Sequence, residues 1–543
     1  MNRNCFNLLW AAALAAPLLV GQPKLAKDLD LKNKEKEIEV IIRFKEVPGE
    51  KEDQKILKRS GKIKTKFEFI KSGLYTLKAK ELEALAADPD VEYINPDRQV
   101  VQLLDLTAPT TGANYAWQFG YKGKDVGVAV IDSGVSDPPD LGSRIVYKES
   151  FVSGLPTAEI YGHGTHVAGM IAGTGKDSKQ KYLGLAPEAR IINLRVLDNA
   201  GIGSDSAVIA AIQRAIALRT TYNIRVINLS LGRPPQGSYL NDPLCQAVEA
   251  AWNAGIVVVV AAGNSGRYDY QRTQGYGTIL SPGIDPYVIT VGAMNSEGTP
   301  DRGDDTIASY SSKGPTSIDF IVKPDIVAPG NRVVSVSTKG ESLLEKSFAA
   351  NKVGASYFRL SGTSMATAAV SAAAALMIGK DPWLTPDLVK ARLMKSASKS
   401  FPSSSTAVNP LTGEVYTSYY DIFTVGAGYL DIGAALMNFD LTAASAKSPR
   451  VVFQPSTNTV SMVSEAGVTW GTTGTWGTGV VWGTGVVWGT GIVWGTGVVW
   501  GTGGDPAGTG IVWGTGVVWG TGIVWGTTGP QLENLNIAIY GEN

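Results

Sequence analysis

Apolar and polar residues along this chain fall into four regimes. The first is a block. Leu8 to Val20 is apolar behind Arg3, too short for an ordinary membrane span, and reads as a secretory signal over residues 1–22. Its cleavage point stays open, because Ala13–Ala15 and the neighbourhood of Gly21 both offer small residues. The second regime, residues 30–104, is lysine-rich and carries a β-α-β-β-α-β pattern. Ile38–Phe44 reads as a strand. Ile63, Thr65, Phe67 and Phe69 alternate with charged residues, as a half-buried strand should. Leu74–Leu77 is expected to pair back across a Ser72–Gly73 turn. Glu81–Ala87 reads as a helix stopped by Pro89, and Val91–Ile94 closes the unit.

The third regime, residues 107–440, has continuous apolar runs separated by helical spacing. Val126–Asp132 suits a strand buried on both faces. Ile191–Leu197, Arg225–Leu231, Ile256–Ala262 and Val288–Met294 are further strands. Ser206–Leu218, with a stripe of Val208, Ile209, Ile212 and Ile216, and Pro243–Asn253 are helices. Gly362 and Thr363 read as the entry to an alanine-rich helix reaching Ile378. Strand–helix alternation predicts an α/β fold, a mostly parallel sheet flanked by helices.

The fourth regime, residues 450–543, is a repeat. From Trp470 a hexapeptide close to Trp-Gly-Thr-Gly-Val-Val recurs, and nine of the thirteen tryptophans lie in it. The even period lets Trp, Thr and the first Val share one face of a continuous strand. Valine and threonine favour strands, while glycine allows turns or close sheet approach. Three readings stand: a β-structured stack, a tryptophan platform for a cell surface or polysaccharide, and a flexible or aggregation-prone tail.

Composition narrows the partners. Lys plus Arg and Asp plus Glu are 49 each, so no charge excess points to nucleic acid or a membrane surface. Cys5 lies in the signal, which leaves Cys245 alone and no internal disulfide. Cys245 falls in a helical stretch and reads as a small core residue.

The two histidines of the chain, His163 and His166, lie in one run, Tyr161–Gly169. Any histidine base must be one of them. Two histidines three apart fill only part of a zinc shell, and no HExxH or CxxC completes it. Upstream, Asp132 ends a buried strand, where open α/β sheets gather their working residues. Downstream, Ser364 falls at a helix entry, its N–H unpaired and aimed where an oxyanion would form.

With Val130–Gly134, His163–Gly169, Ala261–Gly266 and Gly362–Thr367 in this order, the chain resembles the subtilisin-like serine proteases over roughly residues 108–436. The resemblance implies a triad of Asp132, His163 and Ser364, with Asn264 in the oxyanion hole and His166 structural. It implies that Ser230, Leu231 and Gly232 line one wall of the specificity pocket and Ala261, Ala262 and Gly263 the other. Asn199 and Gly201 would lie where substrate backbone pairs as an added strand. No carboxylate stands in these segments, so cleavage after apolar or aromatic residues is expected. One departure stands out: Ala368–Ala369 replace the family's usual Pro-His.

Residues 30–104 are similar to the family's inhibitory prodomain, here a small α+β ferredoxin-like unit, through the ending Val91–Arg98. An independent ferredoxin-like binding module is the plainer alternative. The resemblance implies a self-processing precursor cut within Val101–Leu106, polypeptide substrates, and a secreted or cell-surface location. No cofactor is expected for catalysis. Calcium is common in the family but no ligand pattern is recognisable here; the 175–181 loop is basic. The alternative function is an inactive or slow relative of the same fold, acting through its tail.

Overall fold

The computed structural model describes residues 24–26, 29, 31–68, 71–96, 107–268, 273–409, 412–441, 445–454, 459–463, 486–488, 492–494 and 530–542. The expected signal, Phe69, the Val101–Leu106 linker and most of the hexapeptide repeat lie outside them. The chain forms two compact units, residues 1–102 and 103–543.

The first unit follows the expected order. Strands β1 (Glu37–Phe44), β2 (Lys62–Phe67), β3 (Ser72–Lys78) and β4 (Val91–Pro96) form a sheet in the order β2-β3-β1-β4. Helices α1 (Glu50–Leu57) and α2 (Ala79–Ala86) complete it. Val40, Ile42, Tyr75, Leu77, Leu82 and Ile94 form its core. The expected Ser72–Gly73 turn is instead the start of β3, opposite Ile42 and Arg43. The chain reverses earlier: Lys71, at φ 52°, donates its N–H to the Glu68 carbonyl. Gly73 belongs in the strand because a Cβ there would lie 2.4 Å from the Tyr75 hydroxyl oxygen.

In the second unit, α3 (Thr107–Thr111) and α4 (Ala113–Gln118) lead into β5 (Gly127–Asp132) and β6 (Ile145–Ser150). Then follow α5 (His163–Ala172), β7 (Arg190–Arg195), α6 (Asp205–Ala217), β8 (Ile224–Leu229), α7 (Pro243–Asn253), β9 (Val257–Ala261) and β10 (Ile289–Asn295). With β11 (Thr306–Ile307) and β12 (Ile326–Pro329) they build an eight-stranded sheet, ordered β11-β10-β9-β8-β5-β7-β6 with β12 also on β10. Every pairing in it is parallel except β10 with β11. The predicted strands and helices lie within two residues of those observed. The stripe on α6 is rotated, however. Its buried face is Ala207, Val208, Ala211, Ile212 and Ala215, and Ile209 and Ile216 sit half-buried beside it. Alanines beside Val208 and Ile212 permit the closer approach to the sheet, and Ile209 and Ile216 fall at the flanks.

A smaller sheet of β13 (Val333–Val336), β14 (Lys352–Val353) and β15 (Tyr357–Leu360), with α8 (Leu343–Ser347), precedes α9 (Thr363–Lys380). Helix α9 packs against β8, β9, β10, β12 and α5. It is long and apolar enough to cross a membrane, but 83% of it is buried in this core. Helix α10 (Pro386–Ser396), hairpin β16–β17 (Ser404–Val408, Val415–Tyr419), α11 (Ile432–Leu436), hairpin β18–β19 (Arg450–Gln454, Thr459–Val463) and α12 (Pro530–Tyr540) follow. In the repeat, Val486–Trp488 pairs antiparallel with Ile492–Trp494, which sets Trp488 opposite Ile492.

One buried charge cluster ties the far side of the sheet together. Asp325 accepts from Lys323 Nζ at 2.7 Å and lies 3.3 Å from Lys390 Nζ, all three side chains being fully buried. Burial pulls the Lys390 pKa down to about 7 against the pull of Asp325. Asp325→Asn leaves two buried lysines without their counter-charge. It is expected to cost about 3–5 kcal/mol, read by denaturant unfolding. A loss under about 1 kcal/mol would contradict this.

Candidate active site

The sheet changes direction at β5. The chain runs from β5 out to β6 and back to β7, then crosses to β8, β9 and β10 on the other side. The crevice beyond the carboxyl ends of β5 and β8 is the position where open α/β sheets bind ligands. Asp132 ends β5 there, fully buried. Its Oδ1 accepts the Ser133 N–H at 2.7 Å, the Ser133 hydroxyl at 3.0 Å and His163 Nδ1 at 2.8 Å. Oδ2 is buried without a hydrogen-bond partner among the described residues.

His163 opens α5, behind Gly162 at φ 113°. Since a carboxylate can only accept, Nδ1 carries the hydrogen and Nε2 is the free base. Beneath it lies Glu159, a residue the sequence reading passed over. Its carboxylate caps α5, accepting the Gly162 N–H at 2.8 Å and the Thr165 N–H at 3.0 Å, and it receives the Ser133 hydroxyl at 3.2 Å. A carboxylate at a helix start meets unpaired N–H groups, which is the one signal that could have found it. Burial raises the Glu159 pKa to about 7, helped by Asp132 and opposed by the backbone donors. Burial lowers the His163 pKa, but Asp132 and Glu159 outweigh it and leave it raised. His166 is different. Its Nε2 lies 3.2 Å from the Val333 carbonyl and 3.1 Å from that of Phe358, and burial holds its pKa down at about 3. It is a neutral tie between α5 and the β13–β15 sheet.

Ser364 sits in the first turn of α9, after Gly362 at φ 146°. Its hydroxyl donates to the Ser230 carbonyl at 3.2 Å, and the Ser230 hydroxyl donates to the Ser364 carbonyl at 3.0 Å. The Ser364 hydroxyl therefore points to the end of β8 and not to His163. Asn264 Oδ1 accepts the Thr363 N–H at 2.9 Å and the Thr363 hydroxyl at 3.0 Å. An N–H donor fixes the flip of that amide, which leaves Nδ2 as its free side. A Cβ on Gly362 would stand 3.2 Å from this Nδ2.

The two segments expected to wall a pocket meet at Leu280, which no motif marked. A Cβ on Gly232 would come within 3.0 Å of the Leu280 Cβ, and one on Gly263 within 2.7 Å of its Cγ. Leu231 is half-buried and Ala261 and Ala262 buried beside them. The Asn199–Gly201 turn is held from inside. Arg195, at the end of β7, donates to Asn199 Oδ1 at 2.7 Å and to the carbonyls of Pro156, Ala158 and Leu197. Gly201 takes φ 78° against the Tyr161 ring. Cys245 is buried in α7, with Ser281 Oγ 4.0 Å from its sulfur, and burial pushes its thiol pKa up. A thiol so held is inert as a nucleophile. Among the described residues no group of three or more His, Cys, Asp or Glu side chains converges as metal ligands.

A model of the subtilase family matches residues 123–414. Serine protease AprX of Bacillus subtilis (strain 168) is 38% identical over 388 residues, which cover 67% of this chain and 84% of that protein. Subtilisin E of the same strain is 34% identical over 367 residues, 66% of this chain and 84% of the relative. A thermostable alkaline protease of Halalkalibacterium halodurans is 34% identical over 324 residues, 59% and 76% of the two chains.

The chain's two histidines can be followed separately by imidazole NMR on the Ser364→Ala chain. His163 should titrate above the ordinary 6.5, while His166 stays neutral to about pH 3. Glu159→Gln removes one of the charges that raise His163, so its titration should move down. An unchanged or higher value would contradict the role given to Glu159.

Proposed function

The chain belongs to the subtilase family and is a serine-type endopeptidase, and we propose that it cuts peptide bonds with Ser364 as nucleophile, His163 as base and Asp132 as the group that orients it. The observation that carries this reading is the 2.8 Å contact of His163 Nδ1 with Asp132, at the start of a helix packed against α9, whose first turn carries Ser364. Ser364 Oγ turns from the Ser230 carbonyl toward His163 Nε2; such bonds are often loose before substrate binds. Nε2 takes the hydroxyl proton as Oγ attacks the scissile carbonyl, and Asp132 stabilises the imidazolium. The negative oxygen is met by the Ser364 N–H and Asn264 Nδ2. His163 returns the proton to the leaving amine. Water then splits the acyl-enzyme by the same route in reverse.

Leu280 between Gly232 and Gly263 supports a preference for apolar side chains before the cut. The Asn199–Gly201 turn, stiffened by Arg195, is suited to pairing substrate backbone. The Leu8–Val20 pattern supports export, and the four-stranded unit of residues 37–96 supports an inhibitory prodomain removed by self-cleavage within Val101–Leu106. For the repeat, the pairing of Val486–Trp488 with Ile492–Trp494 supports β-structured units. Its tryptophans are the groups by which a cell surface or polysaccharide would be held. Calcium is left unassigned.

Expression beside Ser364→Ala tests the reading. The wild type should lose roughly its first hundred residues, read by intact mass and N-terminal sequencing, and the variant should keep the unit ending near Pro96. Identical processing of both would remove Ser364 as the nucleophile. On a peptide library, cuts should follow apolar and aromatic residues; strict cutting after Lys or Arg would overturn the pocket. Asn264→Ala should lower kcat by about 10²–10³, a magnitude known from a subtilisin.

A further inference from the structure

Beyond the repeat, the chain returns to the catalytic core. Ile537 and Ile539 of α12 are buried in the main apolar cluster. The Ala538 carbonyl accepts the Ser361 N–H at 2.9 Å, and the Ile539 carbonyl accepts Asn351 Nδ2 at 2.5 Å. Asn331 and Glu542 bond reciprocally: the Glu542 N–H donates to Asn331 Oδ1 at 2.9 Å, and Asn331 Nδ2 donates to the Glu542 carbonyl at 3.0 Å. The Glu542 side chain is 1% exposed and that of its partner Arg267 4%. Glu542 Oε1 accepts Arg267 Nη2 at 2.8 Å, the Ser309 N–H at 2.8 Å and the Ser309 hydroxyl.

These contacts fall on the two loops that flank the reacting oxygen. Arg267 lies three residues after Asn264. In between, the Ser265 N–H donates to Ser312 Oγ at 3.1 Å and the Gly266 N–H to the Tyr310 carbonyl at 2.8 Å. Arg267 Nε also donates to Ser309 Oγ at 2.8 Å. Glu542 thus fastens the Asn264 loop to the 309–312 segment at two points. On the other side, Ser361 lies three residues before Ser364. The Gly362 N–H donates to the Gly330 carbonyl at 2.8 Å, next to Asn331. Ser361 and Asn331 are both bonded to the segment that carries Glu542.

We propose that residues 535–542 brace the oxyanion hole, with Glu542 as a positioning residue that holds the Asn264 loop in register with the strand leading into Ser364. The proposal rests on the reading of Asn264 and Ser364 as the oxyanion donors. A buried pair broken on one side leaves its partner's charge uncompensated. Loss of the brace strands the Arg267 charge, leaves the Ser361 N–H without its acceptor and leaves the Asn331 amide held by Asn295 Oδ1 alone. The loops then relax, and a shift of about 1 Å at such donors can cost ~10²-fold in rate.

The test uses the full-length precursor, allowed to mature, and assays a short chromogenic peptide. Rates are divided by active sites titrated with a serine-reactive phosphonate. Four chains are compared with the wild type: one ending at residue 529, Glu542→Gln, Gly541→Ala and Asn264→Ala. Gly541 takes φ 60°, and a Cβ there would stand 2.4 Å from both Asn331 Oδ1 and Ser361 Oγ. The shortened chain should lose about 10- to 100-fold in kcat per titrated site, with KM nearly unchanged. A synthetic peptide of residues 530–543 should restore the rate saturably. Glu542→Gln and Gly541→Ala should fall the same way by less, and neither should add to Asn264→Ala.

Unchanged kcat per site in Glu542→Gln and Gly541→Ala would overturn the brace, even if the shortened chain is unstable. Where the shortened chain gives no titratable sites, those two variants decide the matter. If Asn264→Ala matches the wild type, the oxyanion reading itself fails instead.

Discussion

The site depends on a helix that can lie buried on all sides. Helix α9 has no polar face: all of it but Ser364, Gly379 and Lys380 is shut inside the core. Such a helix can pack only where its neighbours approach closely, and its alanines at 366, 368, 369 and 372–375 permit that. At its far end Gly379 meets Gly123 so closely that a Cβ would stand 3.1 Å from the Gly123 Cα. Held along its length by β8, β9 and β10, the helix presents a fixed first turn. The orphan N–H groups there are an electrostatic feature the backbone provides without any side chain. The replacement of Pro-His by Ala368–Ala369 leaves the helix unbroken through Lys380.

What was legible in the sequence was local. Continuous apolar runs gave strands, glycines gave sharp entries, and four short motifs placed Asp132, His163, Asn264 and Ser364 at strand and helix ends. What was not legible came from residues distant in sequence. Glu159 matters through helix N–H groups that only folding brings to it. Leu280 meets Gly232 and Gly263 from a different loop, with no periodicity to mark it. Arg195 looks like a charged strand residue until four oxygen acceptors enclose it. Glu542 stands beyond a repeat whose composition points attention elsewhere. The misread turn at Ser72–Gly73 has the opposite cause: glycine there makes room for the Tyr75 ring inside a strand.

Rigidity in the loops comes from carboxylates turned inward. Glu345 accepts the N–H groups of Thr338 at 3.1 Å and Gly340 at 2.9 Å and the Ser342 hydroxyl at 2.6 Å. Asp421 takes Tyr276 Oη at 2.6 Å and the N–H groups of Phe423 and Thr424, both at 2.9 Å. Glu159 and Glu542 do the same at the site. Each replaces water around backbone donors that would otherwise be orphaned, and a buried donor left unpaired costs about 1–3 kcal/mol. With Cys245 the only free cysteine among the described residues, it is this ligation that holds the loops.

The hexapeptide array has protease-bound chain at both of its ends. Pro449 and Val451 bond to the 320–322 segment on one side, and α12 returns to Ser361 on the other. An insert pinned at both ends answers to polymer statistics. Even at the flexible-chain limit, doubling the intervening length adds only about 0.6 kcal/mol of closure entropy. Copy number in the array is therefore almost free to drift: slippage or unequal recombination could add or delete hexads in units of six codons, with little consequence for the enzyme to which both ends are attached.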